Sequence, residues 1–414
     1  MKEHKPELLI AVDCGTSSVS EISELKARGI DVIVLDHHEP PEKLPECVAL
    51  VNPKRVGGEP FASVGVAFKL AHALLKRDRK FADKIDLREH LDLVAVGTVA
   101  DIVPLTGENR ILVRAGLERL PATRKTGLRA LMDIADVTGE VTPYHIGFRM
   151  GPRLNAAGRL ADAMAALELL LTEDAGRAGE LAALLNDHNA ERQRIEERIT
   201  VEALAQAAKY RDDRVLVLAD ETWHAGVIGI VASRVLQEFY RPTVVIGAGG
   251  KGSCRSVTGF SIVDALRQCE ALLEKFGGHE MAAGLTIEAG KVTELRRRLN
   301  ELAGDIPART VTIDAVVRLD DLDDEFFKAL NRLEPCGMEN PTPVFVATGV
   351  RVRGAPRVVG KKHLKFFVTD GETSVEAIWW GKADFELPRG AMDVAFTAEL
   401  HEYRGEQTVQ LKVR

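Results

Sequence analysis

No stretch of this 414-residue chain approaches the roughly 18 consecutive apolar residues of a membrane-spanning helix, so none is expected. The N-terminal stretch MKEHKPELLIAVDCG carries a short apolar run, Leu8 to Val12, too brief for the core of a secretory signal. Cysteine is sparse. Cys14, Cys47, Cys254, Cys269 and Cys336 are scattered, odd in number and free of any CxxC pair. Such usage argues against a cysteine zinc site and fits a reducing, cytoplasmic setting without a membrane. Positive charge is not in excess either: 55 basic against 62 acidic side chains leave a net charge of −7. That weighs against indiscriminate polyanion binding, while a basic groove on an acidic body stays compatible with a nucleic-acid enzyme.

What is present describes an ordinary globular protein, 45% hydrophobic and 28% charged. The length exceeds what a single core supports, so roughly two to four domains are expected. The stretch VIVLDHHEPP, Val32 to Pro41, is the densest source of chemistry. A buried strand, Asp31 to Leu35, ends in Asp36, His37 and His38, and Pro40 and Pro41 stop it. Upstream, Leu8 to Val12 reads as a strand ending at Asp13. Thr16 to Ser18 can then cap a helix through Val19, Ile22 and Leu25 that stops at Gly29. This strand–helix–strand unit is long enough for parallel pairing and places Asp13 and Asp36 at one sheet edge, where open α/β sheets bind ligands.

Val48 to Val51 reads as a further strand and Ser63 to Lys76 as a helix. The apolar run LDLVAVGTVADIVPL, with Asp101 just before its Val-Pro-Leu, is a buried helix or a strand; periodicity does not separate the two. Helices are expected to about Ala175, interrupted by a glycine-rich turn, GPRLNAAGR. Glu180 to Tyr210 reads as a long helix whose polar middle, Asp187 to Arg194, is expected to be exposed in a rigid connector. A second α/β unit follows: strands Val215 to Leu218 and Thr243 to Ile246 flank a helix Ile228 to Phe239. A glycine-rich loop, GAGGKGSCRS, and a helix Ile262 to Phe276 come next. From Thr310 short alternating strands with turn signals suggest a small barrel. Within it, Arg351 to Lys365 carries basic residues without an acid, including Lys361 and Lys362. His363, Phe366, Phe367, Trp379 and Trp380 lie nearby, and aromatics beside basic groups suit stacked single strands.

Asp36-His37-His38 resembles the signature of the DHH phosphoesterase superfamily, and GGHEMAAGL, from Gly277, resembles its DHHA1 substrate-binding domain. VDCGTSS, GTVADIVPL, GPRLNAAGRL, WHAGVIGIVASR, GSCRS and LEPCGMENPTPVF are similar to one branch, the RecJ single-strand-specific 5′→3′ exonucleases. These motifs run in order over nearly the whole chain. The resemblance implies an α/β fold with a parallel-sheet DHH domain over 1–178, a connector helix over 179–210, a DHHA1 domain over 211–308 and an OB-fold β-barrel over 309–414. It implies Mn²⁺, with Mg²⁺ as the second candidate, held by Asp13, His37 and Asp101. His38 would meet the phosphate and Asp36 would support the site. Ser253 and Arg255 would take a 5′-terminal phosphate, His279 would face the scissile region, and Arg153, Asn155 and Arg159 would line the DNA path. The implied activity is metal-assisted hydrolysis of single-stranded DNA in repair and recombination, with a single-strand-binding protein or a helicase as candidate partners. Carboxylate and imidazole donors suit Mn²⁺ better than thiolates would.

One family motif, Asp-x-Asp-x-Asp-Gly on a strand, has no counterpart in the residues before Leu8. The expectation is then a sheet with a different edge, three protein ligands for one metal and a poorly held second metal. A shortened product of a longer active exonuclease is favoured over a naturally reduced homologue that binds DNA ends without cutting. A DHH phosphodiesterase acting on short oligonucleotides is the other enzymatic alternative. The long helix and β-rich third region speak against it, since short substrates need no extended track.

Overall fold

The structure is a computed structural model that describes residues 6–78, 80, 84–160, 162–403 and 406–414. Two compact units are distinguished, one of residues 1–123, 138–148 and 311–414, the other of 124–137 and 149–310. Among the described residues, no helix is long and apolar enough to cross a membrane.

The first unit holds a three-stranded parallel sheet in the order β1 (Leu8–Val12), β2 (Asp31–Leu35), β3 (Ala49–Val51). Strand β1 meets β2 in register from Leu8 opposite Asp31 to Val12 opposite Leu35. The helix Val19–Ala27 makes the crossover, and its Ile22 and Leu25 pack with Val32 and Val34. This register makes Asp13 and Asp36 the first residues beyond two neighbouring strands, as the strand–helix–strand pattern predicts. Strand β2 is central and buried; β1 is the edge, with Leu8, Ile10 and Val12 about half exposed.

The ambiguous run folds as a helix, Leu91–Ala100. Packing decides it. Leu91, Val94, Ala95 and Val96 are buried on several faces, and helix Gly107–Arg119 lies so close that a Cβ on Gly116 would sit 2.1 Å from the Leu91 carbonyl oxygen. Asp101 follows as the helix's C-terminal cap residue.

In the second unit a five-stranded sheet has the order β4 (Leu216–Ala219), β5 (Thr243–Ile246), β6 (Lys251–Arg255), β8 (Ala282–Thr286), β7 (Lys275–Gly278). Strands β4 and β5 are parallel, joined by the helix Ile228–Phe239; the other pairs are antiparallel. Two expectations change here. GSCRS is strand β6 rather than loop, because β5 and β8 supply ladder partners on both sides. The helix from Ile262 ends at Arg267, and Lys275–Gly278 becomes β7. Its two glycines are poor helix formers, and pairing with β8 satisfies its backbone instead.

Two helical expectations also change. GPRLNAAGR is not a turn but the helix Gly151–Leu160. Ala156 and Ala157 are fully buried, letting the helix pack on the long helix Ala175–Ala207. The polar middle of that long helix is exposed on one side only: Asp187, Glu191, Gln193 and Arg194 are exposed, but Asn189 and Arg192, with Glu196 just beyond, are buried. Asn189 Oδ1 accepts from the Arg192 guanidinium, and Glu196 accepts from Arg192 Nη1 at 2.7 Å and Arg234 Nε at 2.6 Å. Mutual pairing is what makes burial of these charges tolerable.

The C-terminal part of the first unit comprises β9 (Ala315–Val316), β10 (Phe345–Val359), β11 (His363–Thr369), β12 (Ser374–Trp379), β13 (Met392–Tyr403) and β14 (Glu406–Val413). They pair in the order β11-β12-β14-β13-β10-β9, and β10 pairs with β11 as well, which rolls the sheet into a partial barrel. Register breaks in β10, between Arg353 and Arg357 and between Ala347 and Val350, bend it enough to serve both neighbours. Phe345, Phe366, Val368, Phe396 and Leu411 fill the interior.

Candidate functional site

At the carboxyl ends of β1 and β2, His37 Nε2 lies 3.2 Å from Asp13 Oδ1 and 3.3 Å from Asp101 Oδ2. That nitrogen is buried yet has no hydrogen-bond partner of sound geometry. His38 shares the cluster: ligand atoms of Asp13, His37 and His38 all lie within 4.8 Å of one another. Asp13 adopts the left-handed region at φ 66°, which aspartate tolerates better than most residues, and its N–H donates to Leu35 O at 2.9 Å. Burial raises the Asp101 carboxyl above its ordinary range; His37 opposes this and the Asp13 carboxylate adds to it. Two carboxylates aimed at one orphaned imidazole nitrogen form a donor set that fits a divalent cation of the Mn²⁺ or Mg²⁺ type.

Asp36 does different work. Its carboxylate is buried and accepts from Thr16 N at 3.0 Å, His37 N at 2.8 Å and His38 Nδ1 at 2.7 Å. Burial alone would raise its pKa, but the bonds from His38, Thr16 and His37 outweigh that and hold the carboxyl far below the ordinary range. A permanent anion therefore anchors the loop that presents both histidines. Asn52, which the sequence reading passed over, completes the frame: its Nδ2 donates to Thr16 Oγ1 at 3.2 Å and to His38 O at 2.8 Å. The signal was available, since Asn52 stands at the carboxyl end of the third strand, as Asp13 and Asp36 stand at the ends of the first two.

In the second unit an open cavity of about 400 Å³ is lined by Arg159, Gly226, Gly229, Ser253, Arg255 and Thr286, among others. Ser253 and Arg255 alternate on β6, so both face one side of the sheet. Arg255 Nη1 donates to Ser253 Oγ at 3.2 Å and to Cys254 O at 2.8 Å, and Arg159 Nη1 donates to Gly226 O at 2.9 Å. Gly229 leaves room: a Cβ there would meet Ser253 Oγ at 3.0 Å and Arg255 Nη2 at 3.3 Å. Burial depresses the Arg255 guanidinium, and the neighbouring Arg159 charge pushes the same way. Two like charges and a hydroxyl around one open space suit an anion.

The remaining predicted residues are placed separately. Arg153 is half-buried and its guanidinium is engaged internally, by Arg149 O at 2.6 Å and Asn186 Oδ1 at 3.1 Å. Asn155 is exposed on the helix Gly151–Leu160, and His279 is exposed in the β7–β8 turn, where its N–H donates to Ala282 O. Lys361 and Lys362 are exposed in the β10–β11 turn, Lys361 at φ 61°. Beside them His363 packs edge-on against Trp380 at 4.4 Å between centroids, and Trp380 remains 53% exposed.

Three family descriptions match this chain: the DHH family N-terminal domain over residues 1–98, the DHHA1 domain over 212–305 and the RecJ OB domain over 313–414. The chain is 37% identical over 437 residues to the single-stranded-DNA-specific exonuclease RecJ of Bacillus subtilis, covering 100% of this chain and 54% of that protein. It is 36% identical to the RecJ of Dickeya dadantii, covering 98% of this chain and 77% of the relative. The crystal structure of Thermus thermophilus RecJ in complex with Mn²⁺ superposes with a TM-score of 0.89 at 36% identity, over 100% of this chain and 62% of that one. The chain thus spans little more than half the length of the Bacillus protein. With the parallel sheet, the histidine-centred site and the β-ring all in place, the chain belongs to the RecJ family of DHH proteins.

Proposed function

We propose that this chain hydrolyses phosphodiester bonds of single-stranded DNA from the 5′ end, using Mn²⁺, with Mg²⁺ as the substitute. The observation that carries this is the convergence of Asp13 and Asp101 on the buried, unpartnered Nε2 of His37. These three residues would hold the metal. When bound, the ion supplies Lewis-acid polarisation of the phosphate and lowers the pKa of its water. The chain's own groups do the rest. Asp36 accepts from His38 Nδ1, which fixes the ring and directs its Nε2 outward, an acceptor in the neutral ring and a donor to a phosphate oxygen in the protonated one. Arg255, Ser253 and Arg159 take the 5′-terminal phosphate, and Asn155 and His279 offer exposed polar contacts to the strand. Lys361 and Lys362 track the backbone while Trp380 offers a face for a base.

The direct test incubates the chain with 5′-phosphorylated single-stranded DNA and Mn²⁺. Release of mononucleotides from the 5′ end is expected. Equal cutting of duplex DNA, or binding without cleavage at any Mn²⁺ concentration, would overturn the proposal.

The electrostatics give a pH signature. A proton on Asp101 competes with the metal, and its raised pKa keeps that proton bound to higher pH than on an exposed aspartate. Mn²⁺ affinity is therefore expected to fall on acidification at a higher pH than an ordinary exposed aspartate ligand would give, and Asp101→Asn should remove that step. Manganese titrations of both proteins over a pH series decide it; identical profiles would refute the role of Asp101.

Stacking gives another. Trp380→Ala should weaken single-strand binding about tenfold, since one base–aromatic stack is worth about 1–3 kcal/mol. Fluorescence anisotropy with an oligo-dT strand at fixed salt measures it. Affinity unchanged within about twofold would remove Trp380 from the binding surface.

A further inference from the structure

The segment Arg332–Asn340, between helix Asp324–Asn331 and β10, lies against the loop that carries Asp101. Leu105 N–H donates to Met338 O at 2.8 Å. Arg110 Nη2 reaches two carbonyls of the segment, Arg332 O at 2.7 Å and Glu334 O at 3.0 Å. Gly337 packs so closely that a Cβ there would stand 2.6 Å from Leu105 Cδ1. The segment is itself tied into a rigid shape. Asn340 Nδ2 donates to Leu333 O at 3.1 Å and Pro335 O at 3.0 Å, Gly337 N to Asn340 O at 2.8 Å, and Cys336 N to Glu334 Oε2 at 2.7 Å. From the other side the buried Asn109 donates to Pro104 O at 3.0 Å and Pro60 O at 2.8 Å.

This clamping surrounds a strained backbone. Ile102, next to Asp101, has φ 57°, a region that a β-branched residue strongly disfavours. Its side chain is 66% exposed, so no burial offsets the strain. The local bonds are long: Ile102 N to Val99 O at 3.2 Å and Val103 N to Thr98 O at 3.3 Å. Such a conformation persists only where its surroundings over-determine it. The shortest backbone bond of this loop to a distant part of the chain is the one from Leu105 to Met338. The conformation matters because it fixes where the Asp101 carboxylate meets His37.

We propose that Arg110 and the segment Arg332–Asn340 form a positioning strap for the metal ligand Asp101, so that metal affinity at the β1–β2 edge depends on residues more than 200 positions away in sequence. The strap touches no reacting atom; it acts by holding Asp101 in place. This inference rests on the metal-centre reading above.

The test compares the whole chain with its Arg110→Met, Arg110→Lys and Asn340→Ala variants. Free Mn²⁺ is followed by electron paramagnetic resonance, and amide exchange is followed over residues 101–105. Arg110→Met is expected to weaken Mn²⁺ binding about tenfold and to speed exchange in the loop, as loss of an outer partner does for other metal sites. Arg110→Lys should recover part of the affinity, because an ammonium still reaches one carbonyl. Asn340→Ala should act in the same direction by loosening the strap without touching Arg110 or the loop, and it carries the test if Arg110→Met fails to fold. Mn²⁺ affinity within about twofold of wild type in Arg110→Met and Asn340→Ala overturns the strap while leaving the metal centre standing. A wild-type chain that binds no Mn²⁺ overturns the metal centre and the strap with it.

Discussion

Replacing His37 with alanine is expected to lower manganese-dependent nucleotide release by at least ~10³-fold, the order of the several kcal/mol that metal polarisation supplies. The size follows from its place. Its Nε2 lies 3.2 Å from Asp13 Oδ1 and 3.3 Å from Asp101 Oδ2, and without it the two carboxylates lose the imidazole donor they converge on. The fold should survive. The bonds that anchor this loop to Asp36 come from the backbone of His37 and the side chain of His38, and both remain in the variant. Single-turnover cleavage at saturating Mn²⁺, with a thermal melt beside it, separates the two effects. Activity above about a tenth of wild type, with the melt unchanged, would remove His37 from the metal site.

Arg255→Ala is expected to cut kcat/KM on a 5′-phosphorylated strand about 100-fold, since a bond from a charged donor contributes about 1.5–3 kcal/mol. The loss on a 5′-hydroxyl strand should be small, so the ratio of the two substrates is the readout. Arg255 is held in the cavity by its own bonds to Ser253 Oγ and Cys254 O, which pre-aim the guanidinium. Burial and the nearby Arg159 charge both penalise it while the cavity holds no anion, and both penalties shrink when phosphate enters. Arg255→Lys should rescue little, because an ammonium lacks the planar fork. The strand itself stays paired in either variant, since β6 is held by backbone ladders to β5 and β8. Equal losses on both substrates would show that Arg255 supports structure rather than the terminal phosphate.

The chemistry at the β1–β2 edge was legible in the sequence for a local reason. A strand, a helix and a second strand within about 30 residues leave parallel pairing as the natural solution, and parallel pairing brings Asp13 level with Asp36. The adjacent Asp36, His37 and His38 needed no long-range information to be recognised as a cluster. Asp101 was legible only through its motif, because helix and strand were both open for Leu91–Ala100 until Gly116 and its neighbours closed around it.

What local sequence could not decide was the partner of each segment. GSCRS became a strand because β5 and β8 flank it, and GPRLNAAGR became a helix because its alanines bury against Ala175–Ala207. The polar stretch from Asp187 to Arg194 looked solvated, yet its Arg192 is buried because it pairs with Glu196, whose other carboxylate oxygen accepts from Arg234 of another helix. Arg153 and Arg159 look alike in the motif, but the first is absorbed by Arg149 and Asn186 and the second joins Ser253 and Arg255 at one cavity. The sequence by itself determined the α/β beginning of the chain, its family and the donor cluster, since these rest on neighbours close along the backbone. The tertiary structure alone decided which charges are buried in pairs, which remain free for an anion, and which distant segment holds the Asp101 loop, since burial and hydrogen-bond partners are contributed by residues far away in the chain.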